Sequence, residues 1–593
     1  MNDFFKMVGA VICGLIAMSL IGFIFFAGCV GTLASSGSQP VMPRSGVLRM
    51  DLANVTFAEQ TASDIDPAAL LSGSGTGETV GLLDAVRALD AAAADPAVKF
   101  LYLTPDGVTA GLAQMEELRA ALTNFRKSGK AVIAYTENPT TGSYYLASAA
   151  DKVYMSANAG ASPMITGVGT QLFFLGDLLK ELGINVQLIR HGKYKSAGEM
   201  YVKNAPSAEN LEQNQVMVNS IWNSIAGDIA GSRDITVERL DSLIDGLALV
   251  TAKDMVDAGL ADGLMTREQL REKLADLAVV EKPSDVKMIP FRDYITLKVK
   301  PNAKAKQKIA VIYAEGNIVD GNGSQQVAGD HFASRIAKIR EDDAVKAVVL
   351  RVASPGGSVL ASDKIKTEID LLRAEKPVIA SYGDYAASGG YWISNSCDRI
   401  YSDRTTLTGS IGVFSMIPDA SRTLREKLKV GVASVGSGRH SDMMSLLSPL
   451  DGEETAYMQK SIEIIYDAFL ANVAEGRDMT PEQVDEIAQG RVWTGADALG
   501  IGLVDEIGTL GDALRFAAQA GGNPDLDSWQ IVAYPKAPSL IDMLLESLGQ
   551  GPDRGDVLAG TPFAPIGEAF RNWNFETGDR FMARMPYEMI IGF

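Results

Sequence analysis

Histidine and cysteine are both scarce, three of each in 593 residues. His191, His331 and His440 stand far apart. That excludes a His-rich metal site and leaves a Ser-His-Asp triad without an evident base. Cys13, Cys29 and Cys397 show neither metal-ligand spacing nor a disulfide framework, so cysteine usage says nothing of the compartment. Basic excess is missing too: 54 Lys and Arg stand against 73 Asp and Glu, a net charge of −19. Nucleic acid is therefore not an expected partner, because phosphate binding needs concentrated positive charge. The acidic surplus is read as a solubility feature.

Charge is absent altogether from residues 7–43. The apolar core of that stretch, residues 7–30, would reach about 36 Å as a helix, against a bilayer core of about 30 Å. It is also longer than the apolar region of a cleavable signal. We expect an uncleaved signal anchor, with residues 1–6 cytoplasmic and the bulk of the chain exported. A competing reading takes Phe26-Ala27-Gly28-Cys29 as a lipoprotein processing site. Phe fits poorly at its first position, and a helix that happens to contain a cysteine is preferred.

What the chain does have is an internal duplication. Lys130-Ala131-Val132-Ile133-Ala134 matches Lys376-Pro377-Val378-Ile379-Ala380, and Tyr144-Tyr145-Leu146 matches Tyr391-Trp392-Ile393. Tyr144 against Tyr391 and Val98 against Val345 share one offset of 247 positions. A constant offset over so long a stretch means a repeated domain. Strands are expected at Gly46–Asp51 and 309–313 to open the two copies. Helix and strand then follow at 80–93 and 100–103 in the first copy, and at 332–340 and 347–352 in the second. Short β-branched runs alternating with helices indicate an α/β layer architecture with buried parallel strands. The expected organisation is a cytoplasmic N-terminus (1–6), an anchor (7–30), a linker (31–43), a first repeat (44–281), a Lys- and Pro-rich connection (282–306), a second repeat (307–547) and a tail (548–593). An extra Gly/Ser-rich loop falls at 71–78, and 548–565 reads as a loose connection to the tail.

The informative residues are those at which the copies differ. In the second copy a strand runs into Ser354-Pro355-Gly356-Gly357-Ser358, where glycines let backbone N–H groups converge on an anion. The next strand runs into Ala387-Ser388-Gly389-Gly390, a serine among small residues at a strand-to-helix turn. N–H groups at a helix start can hold an oxyanion there. In the first copy these positions are Gly107-Val108-Thr109-Ala110 and Thr140-Thr141-Gly142-Ser143, which carry neither feature. That copy instead has Tyr194-Lys195-Ser196 after a strand expected at 186–189, where the second copy has no equivalent lysine. A turn lysine is ordinarily a solvated charge, but complementary loss in two copies points to a shared site. A serine hydroxyl needs a base before it can attack a carbonyl, and a lysine serves when burial lowers its pKa from about 10.4.

The tandem length, the apolar N-terminus, both glycine motifs, Thr408-Gly409-Ser410-Ile411-Gly412 and Tyr194-Lys195-Ser196 together resemble the signal peptide peptidase A family, protease IV in its long tandem form. The resemblance covers nearly the whole chain. It implies tandem ClpP/crotonase-like domains assembled as a ring-shaped homo-oligomer, a tetramer. It further implies Ser388 as nucleophile, Lys195 as general base and Ser410 as the residue orienting that lysine. Gly356, Gly357 and Gly389 become the oxyanion and substrate-binding positions. No metal or organic cofactor is implied. The implied substrates are cleaved signal peptides in the bacterial inner membrane, with the catalytic domains on the periplasmic side. Two alternatives compete: a crotonase-type acyl-CoA enzyme, for which no basic phosphate site is evident, and a peptide-binding scaffold without catalysis. The resemblance assigns the tail no role.

Overall fold

The computed structural model describes residues 40–60, 78–323, 326–535, 581–585 and 591–592. The expected anchor at 7–30, nearly all of the Gly/Ser-rich loop and the loose connection at 548–565 lie outside the described residues. Among the described residues no helix is long and apolar enough to cross a membrane. The chain from Ser45 onward is one compact unit.

Two sheets within it share a path of six parallel strands in the same order, the structural counterpart of the duplicated sequence; the second also carries Leu407–Gly409 and, antiparallel to it, Val492–Thr494. The first runs Met288–Pro290, Gly46–Asp51, Val98–Thr104, Val132–Thr136, Lys152–Ser156, Gly263–Met265. The second repeats that order as Gln530–Tyr534, Lys308–Glu315, Val345–Ser354, Val378–Ala387, Arg399–Ser402, Glu506–Ile507. The connection at 282–306 is thus partly sheet, since Met288–Pro290 pairs in parallel with Gly46–Asp51. Residues Ala347–Val352 of the central strand Val345–Ser354 are buried without interruption, as expected of a parallel strand covered on both faces. The helix Val359–Arg373 begins where the Ser358 hydroxyl accepts from Ala361 N, and buries Ala361, Ile365, Ile369 and Leu372 at helical spacing.

A third sheet joins the repeats. Its order is Val327–Ala328, Ile318–Val319, Gly356–Ser358, Met582–Arg584, Val413–Asp419, Asn185–His191. The last two strands pair antiparallel over seven residues, from Val413 opposite His191 to Asp419 opposite Asn185. A strand of the first repeat is therefore an edge strand of a sheet built mainly by the second. Gly356–Ser358, expected as a turn, is itself a short strand of this sheet.

Charge locks the same interface. Arg351 of the second repeat is fully buried between two carboxylates of the first, with Nε 2.7 Å from Glu59 Oε2 and Nη2 2.9 Å from Glu117 Oε1. Burial pushes the Glu117 carboxyl up to about 6, with the Arg351 guanidinium pulling it down. Asp384 Oδ1, in the second repeat, accepts from Ala113 N at 2.8 Å in the first turn of the helix Leu112–Lys127. A Cβ on Gly111 would lie 1.8 Å from Asp384 Oδ2, so only glycine fits there. Replacing Arg351 with Met leaves two buried carboxylates without their counter-ion. The expected cost is about 3–5 kcal/mol, read as a lowered urea midpoint; an unchanged midpoint would show that the clamp contributes nothing.

Candidate active site

Ser388 ends the strand Val378–Ala387 and precedes the four-residue helix Gly389–Trp392. Its φ of 55° and ψ of −111° are unusual for a non-glycine residue. Such strain is held only where the surroundings over-determine it. Here Ser388 N donates to Gly409 O at 2.8 Å, and Trp392 N donates to Ser388 O at 2.7 Å. The small neighbours on both sides are steric requirements as well: a Cβ on Gly390 would lie 2.6 Å from Ser354 O.

Lys195 reaches this serine from the first repeat. The strand Asn185–His191 aligns on Val413–Asp419, and the chain then turns through Gly192. Tyr194 N donates to Gln489 O at 2.9 Å, and Gln213 Nε2 donates to Tyr194 O and to Ser196 Oγ, both at 3.0 Å. The backbone on each side of Lys195 is therefore tied down. Gly490 packs against it so closely that a Cβ there would come within 2.5 Å of Lys195 Cβ.

The Lys195 side chain is fully buried, and its Nζ lies 2.9 Å from Ser388 Oγ, 3.0 Å from Ser410 O and 3.1 Å from Ser410 Oγ. Among the described residues no carboxylate pairs with it. Burial alone holds its pKa well below the ordinary lysine value. A neutral amine has two N–H donors and one lone pair. The two oxygens of Ser410 can take the donors, which leaves the lone pair for the Ser388 hydroxyl. Ser410 offers both oxygens to one nitrogen from a backbone with φ of 50°.

The sequence-predicted positions thus converge: Lys195 Nζ bonds to both Ser388 and Ser410, and Gly389 follows Ser388 directly. A Cβ built on Gly356 would lie 2.6 Å from Gly389 N, so the loop and the helix start are in contact. Gly357 lies in the short strand Gly356–Ser358, opposite Ala583. All three histidines are engaged elsewhere. His191 stacks on Tyr466 at 4.0 Å, His331 meets Arg335, and His440 Nδ1 lies 2.9 Å from Glu454 Oε1. In the first repeat, Thr141 stands at the position equivalent to Ser388; it is buried and accepts from Thr166 N at 3.1 Å. Sequence reasoning missed the strand Met582–Arg584, which pairs with Gly356–Ser358. A three-residue strand carries no periodicity to reveal it.

The model of peptidase family S49 matches residues 124–281 and 370–522. "Protease 4" of Haemophilus influenzae is 35% identical over 84% of this chain and 83% of its own length. "Serine protease SPPA, chloroplastic" of Arabidopsis thaliana is 31% identical over 77% of this chain and 68% of its own. Among solved structures, ClpP1 from Listeria monocytogenes aligns over 34% of this chain and 91% of its own, at 15% identity and a TM-score of 0.22, too low to carry an argument.

A buried lysine that works as a base must shed its proton first. The rate at which a fluorophosphonate labels Ser388 is expected to rise with pH and level off, with a midpoint well below the ordinary lysine value of about 10.4. A midpoint at the ordinary value would show that burial does not set the base.

Proposed function

This chain belongs to peptidase family S49 and is a serine peptidase, and from that premise we propose a Ser/Lys endopeptidase that degrades cleaved signal peptides. The observation that carries the chemistry is the 2.9 Å contact between a fully buried Lys195 Nζ and Ser388 Oγ. Ser388 Oγ attacks the scissile carbonyl carbon while its proton passes to the neutral Lys195 amine. The oxyanion that forms is held by backbone N–H groups of Gly357 and Gly389, with Gly356 leaving space for it. Lys195, now an ammonium, gives the proton to the departing amine. In the second half, water attacks the acyl-enzyme as Lys195 takes one of its protons; the acyl C–O bond breaks, Lys195 returns that proton to Ser388 Oγ, and the product acid leaves as a carboxylate with its remaining proton going to solvent. Ser410 positions the lysine throughout and takes no proton itself. Only carboxyl and amide chemistry is involved, and the residues in this site supply all of it.

The apolar stretch 7–30 supports anchoring in the bacterial inner membrane, with the catalytic repeats on the periplasmic side, where released signal peptides lie. A ring-shaped homotetramer is the proposed assembly. In it each chain completes its own dyad, because the tether between repeats keeps Lys195 at high effective concentration near Ser388.

Ser388→Ala and Lys195→Met are each expected to lower cleavage of a signal-peptide substrate to a few per cent of wild type or less, with unfolding midpoints unchanged. Ser410→Ala should slow turnover about 10-fold to 100-fold without abolishing it, a positioning effect of about 1.4–2.7 kcal/mol. Retained activity in a well-folded Ser388→Ala protein would sink the assignment.

Co-expression of Ser388→Ala chains with Lys195→Met chains tests where the dyad forms. Completion within one chain predicts no rescue, since every chain then lacks one partner. Substantial recovered hydrolysis would place the dyad between chains and leave its chemistry intact.

A further inference from the structure

One carboxamide joins the lysine-bearing turn of the first repeat to the strand behind both serines of the second. Gln213 lies in the second turn of the helix Ala208–Arg233 and is 3% exposed. Its Nε2 donates to Tyr194 O and to Ser196 Oγ, on either side of Lys195. Its Oε1 accepts from Val492 N at 3.3 Å. Tyr194 O can only accept and Val492 N can only donate, so the carboxamide fits one way round. The strand Val492–Thr494 pairs antiparallel with Leu407–Gly409, with Gly409 opposite Val492. Gly409 O accepts from Ser388 N at 2.8 Å, and Ser410 N donates to Arg491 O at 2.7 Å. Gln213 thus bonds the residues flanking Lys195 to the strand that fixes Ser388 and Ser410.

The helix that carries Gln213 is held on both sides of this contact. At its start the Ser207 hydroxyl accepts from Asn210 N and donates to Glu199 Oε1 at 2.8 Å. Seven residues past Gln213, on the same face, Ser220 Oγ lies 2.8 Å from Thr494 Oγ1. Charged groups around the turn are paired. Arg190 Nη1 donates to Lys195 O at 2.6 Å while its Nη2 lies 3.1 Å from Glu199 Oε1. Arg491 Nη1 lies 3.3 Å from Glu212 Oε1, and Glu212 Oε2 accepts from the Tyr194 hydroxyl at 3.2 Å. Gln213 is neutral, so it bridges the repeats without adding a charge beside the amine.

On the reading of Ser388 as nucleophile and Lys195 as base, we propose that Gln213 is a positioning residue that holds the lysine-bearing turn against Val492–Thr494 and so sets the reach of Lys195 Nζ to Ser388 Oγ. It acts through the turn and takes no proton. Proton transfer requires that reach, and a misplacement of about 1 Å costs about 100-fold in rate. A turn released from the strand also admits water to the amine, and its pKa then climbs back toward the ordinary value.

The test compares wild type with Gln213→Met, which keeps the length of the side chain and removes its hydrogen bonds, and Gln213→Glu, which keeps an acceptor for Val492 N but puts a charge where the donors were. Thr236→Ala is the control in the same repeat. It removes the hydroxyl that accepts from Arg239 N at a helix start, which lowers the unfolding midpoint without touching the turn. Hydrolysis of a short peptide ester and fluorophosphonate labelling of Ser388 are both followed against pH. The two Gln213 proteins are expected to lose about 10-fold to 100-fold in kcat with KM within about twofold of wild type. Their labelling midpoints should move up by about one pH unit or more, further in Gln213→Glu, whose carboxylate favours the ammonium. Thr236→Ala should keep the wild-type kcat and midpoint. Unmoved midpoints in both Gln213 proteins would overturn the proposal, whatever the loss in rate. So would failure of both to fold, which would make Gln213 a structural residue. If Ser388 of the wild type does not label, the catalytic reading falls and the positioning role with it; if it labels and the Gln213 profiles match it, only the positioning role falls.

Discussion

The seven-residue antiparallel pairing of Asn185–His191 with Val413–Asp419 is the contact on which the site depends. Without it the first repeat has a lysine in a turn and the second has a strained serine at a strand end, and the two do not meet. Pairing by backbone ladder sets register to the residue, because a slip by one would turn every side chain to the opposite face. Register is what delivers Lys195 Nζ to within hydrogen-bond distance of Ser388 Oγ. The Arg351 clamp and the Asp384 cap work on the other side of the same interface and hold the two sheets at a fixed separation.

Burial then does the electrical work. An ammonium removed from water and denied a carboxylate is costly, and the cheapest response is to lose its proton. Lys195 is surrounded by neutral partners, the oxygens of Ser388 and Ser410, with the Phe414 ring 6.0 Å away. The buried glutamates of the interface, Glu59, Glu116 and Glu117, pair instead with Arg351 and Arg404. The same interface therefore contains one region rich in paired charge and one stripped of charge, and Lys195 sits in the second.

Much of this was legible in the amino-acid order. Duplication was visible in matched runs at constant offset, and the copies' differences singled out Ser388 and Lys195. Gly46–Asp51 is observed with the bounds expected of it, and the other opening strand is longer than expected, Lys308–Glu315. Apolar β-branched runs between polar turns explain both. Less was legible where structure depends on partners remote in sequence. Gly356–Ser358 reads locally as a turn and becomes a strand because Ile318–Val319 and Met582–Arg584 lie on its two sides. Met288–Pro290 sits in a Lys/Pro-rich stretch and is a strand because Gly46–Asp51 offers it an open edge. Arg351 looks like an interruption in an apolar strand, and nothing near it in sequence identifies Glu59 and Glu117 as its partners.

The spacing of the two site residues also has a consequence in time. Lys195 and Ser388 are 193 positions apart, and Gly490, which packs on Lys195, comes later still. A ribosome delivers the chain from its N-terminus, and domains tend to fold in that order. The first repeat can therefore fold while its lysine is an isolated, harmless cation. The contact between Lys195 and Ser388 cannot form until most of the chain has been made. On the proposed Ser388/Lys195 chemistry, a peptidase divided between two copies in this way has no assembled site to act with during most of its own synthesis.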